Sequence, residues 1–515
     1  MVDSDRLEKL NQLLKLKINP YPGKAFERTH TTNHIREDFA KLEGKKVSIA
    51  GRVMSIREHG ALTFADLEDF SGKIQLWLSE DSLGKSYALL KLIERGDFLG
   101  VHGVIAKTKR GEMSVKVNDF VLLSKALRHL PVTWFGLKNV EERYRQRYVD
   151  LILNKNVREI FLKRTQIIKE IRNFLDEKGF IEVETPVIQS VYGGAAAKPF
   201  KTYINDLKMD AFLRISDELH LKRLIVGGFE KVYEVAKDFR NESIDTQHNP
   251  EFTQIEFYEA YADYEKLMKM TEEMLTRVIK KVNGSLKVKF GNTELDFTPP
   301  LPRVKFRDIV LKEAGIDINK ENTEEKLKKA IKAKKLNLDL KGIIGFGALA
   351  DKLYKEYVRP KLIQPTFLID YPTEMIPLAK RKDDDKTKIA TVQLLANGFE
   401  ILKAYNELND PIDQKARFEE QAELGEKGFE EAHMLDEDFV RALECGMPPT
   451  AGWGLGIERL AMLLTNNQSM KEVILFPFMA LSEEEKHKHK KAKPKLSETQ
   501  RGPAKQNVSL GKKKK

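Results

Sequence analysis

One cysteine, Cys445, in 515 residues excludes a disulfide framework and a cysteine-rich zinc site, and makes a reducing compartment the simplest setting. No uninterrupted apolar run reaches the roughly 18 residues that a membrane helix needs. The first residues, MVDSDRLEKLNQLL, are charged and amphipathic where a secretory leader would be apolar. These absences predict a soluble, cytoplasmic protein with no membrane partner. An acidic excess is also lacking, because the formal net charge is +11. That charge is confined: from Lys486 to Lys515, twelve Lys or Arg stand against one acid, Glu498, so the rest of the chain is formally neutral. The tail, residues 483–515, has almost nothing apolar to bury and is expected to be disordered. It is either a solubilising appendage or an attraction for a polyanion such as RNA.

What is present suffices for two or three cores, with 41% hydrophobic residues in a chain of this length. After a helix-like start, residues 45–125 alternate with a period of two in VSIAGRVMSI, ALTFADL, KIQLWL, DFLGVHGVIAKT and MSVKVNDFVLL. Five short strands with a helical piece among them predict a small barrel of the OB type in a first domain, 1–130. Phe64 and Gln75 are candidates for a stacking ring and a base-edge reader on such a barrel. Ordinary packing accounts for them equally well. Residues 131–160, rich in Arg and Tyr, are expected to link this domain to a mixed α+β domain at 161–482. Phe161, Ile168, Ile171 and Leu175 recur there at helical spacing, and Gly179 supplies a stop. Residues 315–357 are expected to be a helical insertion without evident chemistry.

The most informative stretch is FRNESIDTQHNPEFTQIEFYEAYADY, beginning at Phe239. It reads as two strands joined by a polar loop. Alternation places Phe252, Gln254, Glu256 and Tyr258 on one face and Thr253, Ile255 and Phe257 on the other, with Arg240 and Glu242 pointing together. One face then packs on a core while the other lines a cavity. Its arginine suits phosphate or carboxylate, and its acids suit a metal or a cationic substrate. An internal salt-bridge network fits the same residues. Further on, AGWGLGIERLAMLL sets glycines before a helix that carries Arg459, a place for a flat ligand or for nothing more than a turn. Glu400 and Glu407, in GFEILKAYNELNDP, would lie on opposite faces of a regular strand, so sharing a site requires a turn or bulge between them.

Together these segments resemble the class II aminoacyl-tRNA synthetases, and within them the lysine-specific subgroup, over all but the basic tail. GFIEVETPVI with Pro186 is similar to the first motif of that class, FRNE with HNPEFT to the second, and GLGIERL to the third. GGAAAKPF, LKRLIVGGFEKVYEV, EFYEAYADY, LIQPTFLIDYP and NELNDP are close to the lysine-specific subgroup. The resemblance implies an OB-fold anticodon-binding domain followed by a catalytic domain with an antiparallel sheet flanked by helices. It also implies a homodimer and ATP-dependent attachment of L-lysine to tRNA(Lys) through an adenylate.

It further implies roles for single residues. Arg240 and Arg459 would be catalytic, Arg240 bridging the α-phosphate and the lysine carboxylate. The ATP-binding set would be Arg240, Asn241, Glu242, His248, Asn249, Phe252, Glu400, Ile401, Gly456, Ile457, Glu458 and Arg459, with the Phe252 ring beneath the base. Gly194, Glu218, Arg240, Glu256, Tyr258 and Glu407 would bind lysine. Glu400 would bind Mg2+, and Arg57, Phe64, Gln75 and Glu112 would meet the anticodon. Three positions depart from the family pattern: Gln393 stands where a second metal-binding glutamate is usual, Lys403 where asparagine is common, and Asp217 before Glu218. Lys403 is expected to turn away from the substrate or pair with a glutamate. Two rivals remain: an aspartate- or asparagine-charging enzyme of the same subgroup, and a catalytically silent tRNA-binding paralogue.

Overall fold

The chain divides into two compact units, Met1–Leu137 and Lys138–Lys515. A computed structural model describes residues 2–131, 137, 139–426, 433–483 and 485–486. The basic tail from residue 487 onward lies outside the described residues.

In the first unit, helix α1 (Ser4–Lys15) precedes strands β1 (Lys46–His59), β2 (Leu62–Glu68), β3 (Lys73–Ser79), β4 (Phe98–Lys107) and β5 (Met113–Ser124). They close into a barrel in the order β1–β2–β3–β5–β4. The alternation that marks these strands in the sequence is the inward set, which includes Val47, Ile49, Leu67, Leu76, Val101 and Val117, all buried. The register of β1 on β2 passes from Val53 opposite Leu67 to Ser55 opposite Asp66, leaving Met54 as an extra residue. That bulge turns Ser55 and Arg57 to the outer face.

The second unit is built on a sheet of eight strands: β6 (Ile181–Glu182), β7 (Lys231–Phe239), β8 (Glu251–Ala260), β9 (Arg303–Lys305), β10 (Thr366–Ile369), β11 (Thr391–Ala396), β12 (Phe399–Asn406) and β13 (Thr450–Gly456). Their order is β9–β10–β11–β12–β13–β8–β7–β6. Six central strands pair antiparallel, and only the edge pairs β9–β10 and β6–β7 are parallel. Helices α2 (Lys155–Glu177), α3 (Glu218–Val226), α4 (Tyr264–Asn283), α5 (Glu324–Ala333), α6 (Phe346–Leu353) and α7 (Ile457–Leu464) accompany it. One sheet face presents Ile255, Phe257, Trp453 and Leu455 to a core shared with α2, α4 and α7. Phe257 stacks on Trp453 with ring centroids 4.7 Å apart, and each such buried aromatic removes a large apolar area from water.

Two expectations need correction. The buried stripe of α2 is Ile167, Ile171, Phe174 and Leu175. Phe161 stays outside that core and Ile168 only flanks it, because the contact runs along the neighbouring row of the same period. The second unit also begins well before residue 161. Arg143 pairs with Glu472 at 3.0 Å, and Arg147 donates to the carbonyls of Lys471 and Leu475 at 2.8 and 3.1 Å. Most of the expected 131–160 linker is therefore part of that unit's body.

Candidate active site

The other face of the sheet lines a cavity of about 360 Å3. Strand β8 gives it Phe252, Gln254, Glu256 and Tyr258, while Thr253, Ile255 and Phe257 are buried on the opposite side, as the alternation predicted. Strand β12 carries a bulge: Leu402 faces Leu394 and Glu400 faces Leu395, with Ile401 as the extra residue. The inserted residue reverses the parity, so that Glu400 joins Lys403 and Tyr405 on the cavity side. From β13 come Gly452, Gly454 and Gly456. A Cβ on Gly452 would collide with the Tyr258 ring and the Glu407 carboxylate, so the cavity floor has to be bare backbone there.

One end is rich in cations. Arg240 lies with its guanidinium 4.9 Å from the centre of the Phe252 ring and donates to the Ile215 carbonyl at 3.3 Å. Arg459 donates to the Glu400 carbonyl at 3.1 Å. Burial alone would raise the Glu400 carboxyl. Lys403 first, then Arg459, Lys355 and Arg359, outweigh burial and hold it below the usual carboxylate range. Lys355 also lines the cavity and pairs with Asp351 at 2.7 Å. The Gln393 amide oxygen accepts from the hydroxyls of Tyr354, at 2.7 Å, and Tyr371, and its nitrogen donates to Glu400. A divalent cation thus finds one carboxylate here rather than two. The donor set fits one such ion, held by Glu400, and Gln393 has no free oxygen for a second.

Glu242, His248, Asn249, Ile401 and Gly456 line the same end. The His248 ring is 2.9 Å from Asp245, and the Asn249 amide donates to the Glu251 carbonyl at 2.6 Å. Glu458 reaches the cavity, but its carboxylate is occupied by Arg164 at 2.8 Å and by the Thr253 N–H, which makes it a brace between α7 and β8. Asn241 and Ile457 do not line the cavity. Asn241 is exposed and donates its backbone N–H to the Lys198 carbonyl, and Ile457 is wholly buried at the start of α7.

The opposite end is rich in carboxylates. Glu256 accepts from Ser216 at 3.0 Å, from Tyr258 at 2.9 Å and from Gln254. Burial, then Glu218 and Asp238, push its carboxyl up to about 8. Glu218 accepts from Tyr405 and from Lys222, each at 2.6 Å. Lys222 also pairs with Glu407. Glu407 and Lys222 are fully buried behind the cavity wall, and Lys222 already supplies a cation to the carboxylate that the sequence reading reserved for substrate. Burial raises the Glu407 carboxyl well above its usual range, with Lys222 opposing. Gly194, at φ +88°, approaches Ser216 so closely that a Cβ would stand 2.8 Å from its hydroxyl.

Behind Glu256 lie Asp217 and Asp238, with carboxylate oxygens of the three all within 4.8 Å of one another. Neither Asp217 oxygen has a hydrogen-bond partner. Burial, then Glu256 and Asp238, raise the Asp217 carboxyl well above its usual range. This shift favours the protonated form and lowers the charge that Asp217 adds to the pocket. Lys403 lines the cavity and acts on Glu400 without a close ion pair among the described residues. It neither turns away nor pairs closely, contrary to both alternatives expected for it.

In the first unit the strand registers set two rows on the outer barrel face. Arg57, Phe64, Trp77 and Lys116 form one, and Ser55, Asp66, Gln75 and Ser114 the other. Arg57 lies 3.5 Å from Asp66, and the Ser114 hydroxyl donates to Gln75 at 2.9 Å. Glu112 is exposed just before β5. Phe64 and Gln75 are half-buried side chains on a polar and aromatic face, the arrangement that single-stranded nucleic acid uses for stacking and edge readout.

Sequence reasoning missed Ser216, Lys222, Tyr405, His433 and the pair Asp351 and Lys355. Lys222 was findable, since it lies four residues after Glu218 on one helix. Tyr405 shares the parity of Lys403. His433 lines the cavity with an unpartnered Nδ1, and burial followed by Lys222 pushes it down to about 4. Nothing local marks it, nor the cavity-facing pair that the insertion contributes through α6 and the turn after it.

An OB barrel, and an antiparallel sheet whose cavity sets Arg240 and Arg459 at one end and buried acids at the other, define a class II tRNA synthetase. The family model for class II tRNA synthetases (D, K and N) matches residues 139–480, and that for an OB-fold nucleic acid binding domain matches residues 47–123. The lysine--tRNA ligase of Thermoanaerobacter pseudethanolicus is 51% identical over 476 residues, 92% of this chain and 95% of the relative. That of Pelotomaculum thermopropionicum is 50% identical over 475 residues, 92% and 94% of the two chains. The lysine--tRNA ligase of Carboxydothermus hydrogenoformans is 49% identical over 475 residues, 92% and 97%. The chain belongs to the lysine--tRNA ligase family of class II synthetases.

Proposed function

We propose that this chain joins L-lysine to tRNA(Lys) with ATP through a lysyl adenylate, and that the residues lining the cavity divide that work between its two ends. The observation that carries the reading is the opposition of charge in one cavity, with Arg240 and Arg459 at one end and Glu218 and Glu256 at the other. Arg240 neutralises the lysine carboxylate and the α-phosphate together, holding nucleophile and phosphorus in line. The carboxylate oxygen attacks phosphorus and pyrophosphate leaves, with no side-chain nucleophile. Mg2+ at Glu400 supplies charge stabilisation to the phosphates when bound. Arg459 and Phe252 flank the adenine, and His248, Asn249 and Glu242 position the nucleotide. Gly194 and Glu218 take the α-ammonium. Glu256 and Tyr258 take the ε-ammonium, and Lys222 ties Glu407 to Glu218. The 3′-hydroxyl of the tRNA then attacks the adenylate.

An aspartate-charging enzyme would need a cation facing its substrate side chain. Lys222 is committed to Glu218 and Glu407, so it is not free for that role, and Lys403 acts on Glu400 at the cation-rich end. Amino-acid-dependent pyrophosphate exchange separates the readings. Lysine-dependent exchange is expected. Aspartate-dependent exchange would move the assignment to the rival, and no exchange with any amino acid would leave a silent tRNA binder.

Three further parts of the reading are proposals. Exposed Ile181, Val187 and Ile188 make an apolar strip that a second copy covers, giving a homodimer. Sedimentation as a monomer under active conditions would refute it. The barrel face with Arg57, Phe64, Gln75 and Glu112 reads the anticodon, and the basic tail adds salt-sensitive attraction to tRNA. No helix among the described residues is long and apolar enough to cross a membrane, and a cytoplasmic location suits a translation enzyme.

A further inference from the structure

We propose that Lys403 is a polyphosphate ligand, its ammonium and a single protein-held divalent cation together carrying the charge of the outer phosphates of ATP and of departing pyrophosphate. The proposal rests on the nucleotide reading of the cation-rich end. It starts from Gln393. The amide oxygen there accepts from Tyr354 and Tyr371, and the amide nitrogen is given to Glu400. An amide oxygen holding two hydroxyl donors has both lone pairs used, and an N–H cannot ligate a metal. Glu400, itself engaged by that amide, is left as the one carboxylate of the Gln393–Glu400 pair, with Glu242 exposed elsewhere at the same end. Asp351, also on the cavity wall, is committed to Lys355 at 2.7 Å.

Against this single carboxylate stand Lys403, Arg459, Lys355 and Arg359, and Lys403 acts on it most strongly of the four. Arg459 is tied to the Glu400 carbonyl at 3.1 Å and Lys355 to Asp351. Lys403 lines the cavity, and its ammonium makes no hydrogen bond or ion pair among the described residues. A second dication brought here would meet Lys403 and Arg459, the Lys355–Asp351 pair and one half-used carboxylate, whereas a polyphosphate would be attracted by Lys403 and Arg459. An ammonium is a compact charge with three donors, enough to bridge oxygens of neighbouring phosphates. The bulge at Ile401 makes this possible, because it brings Lys403 and Glu400 to the same side of the sheet.

The test is calorimetric binding of a non-hydrolysable ATP analogue and of AMP to the full-length protein, for wild type, Lys403→Met and Lys403→Arg. A Mn2+ titration read by electron paramagnetic resonance accompanies it. We expect Lys403→Met to weaken the analogue at least tenfold while AMP changes less than twofold, Lys403→Arg to recover most of the loss, and one Mn2+ to be held per bound nucleotide. Unchanged affinity for the analogue in Lys403→Met, an equal loss of analogue and AMP, or two or more Mn2+ per nucleotide overturns the role of Lys403. Wild-type protein that binds neither analogue nor AMP overturns the nucleotide reading, and the Lys403 role with it.

Discussion

At one end of the cavity Lys403, Arg459 and Lys355, with Arg359 outside the lining, act on the carboxylate of Glu400; at the other, Glu218 and Glu407 share the ammonium of Lys222, and Glu256 lies with Asp217 and Asp238. Both arrangements are costly to bury without a counter-charge, yet they meet that cost differently. The cationic end sets its charges against the Glu400 carboxylate, which they hold below its usual range. The acidic end gives part of its charge up, because burial raises Glu256 to about 8 and Asp238 to about 6. An empty site is therefore primed for a polyanion on one side and holds protons in place of cations on the other.

Four measurements bear on that contrast. The largest effect is expected from Arg240→Ala, which removes the charge shared between phosphate and carboxylate. Pyrophosphate exchange should fall by about a hundredfold to a thousandfold, with circular dichroism unchanged. Activity within tenfold of wild type would show that the cationic end does not need it. Next, Glu256→Gln keeps the shape of the acidic end, retains one accepting oxygen and deletes the charge. Lysine affinity, followed by calorimetry, should fall about thirtyfold or more, and an unchanged affinity would remove Glu256 from the ammonium site.

Acidity gives the third test. Below about pH 8 the empty pocket holds Glu256 protonated, and a cationic ligand favours the ionised form, so binding releases a proton. Lysine affinity should rise between pH 6.5 and 8, by at most about tenfold per pH unit, and level off above. Calorimetry in buffers of different ionisation heat reads the released proton directly, and a flat profile with no release would contradict the shift. The smallest effect belongs to Asp217. Its folded carboxyl is raised above the unfolded value, so the folded state holds a proton that the unfolded state sheds, and this group's contribution to stability declines as pH rises from about 4 upward. Asp217→Asn has no proton to lose. It should unfold a few degrees higher than wild type at pH 8 and show a smaller gain at pH 5, with equal gains at both arguing against the proton.

Much of this site was legible as local pattern. Alternation alone sorted Phe252, Gln254, Glu256 and Tyr258 from Ile255 and Phe257, and the five barrel strands followed from the same period. Parity between Glu400 and Glu407 demanded an irregularity, and the bulge at Ile401 is that irregularity. Of the α2 positions picked out by spacing, Ile171 and Leu175 are in the buried stripe while Ile168 flanks it and Phe161 lies outside, since only packing selects among apolar positions of the same period. Asp351, Lys355 and Tyr354 escaped notice because nothing within the insertion says that its helical turns close over a distant strand.

The sequence by itself determined the two folds, the side of each strand that meets the core and the presence of paired charges, because these depend on spacing along one chain. Only the tertiary structure decided which charges face one another. Lys222 goes to Glu218 and Glu407, Gln393 is saturated by two tyrosines, Asp217 lies against Glu256, and Lys403 is left facing Glu400 with an unpaired ammonium. Those pairings join residues from separate strands and helices, and burial, which sets whether each group keeps its charge, exists only once the sheet and its helices have closed around them.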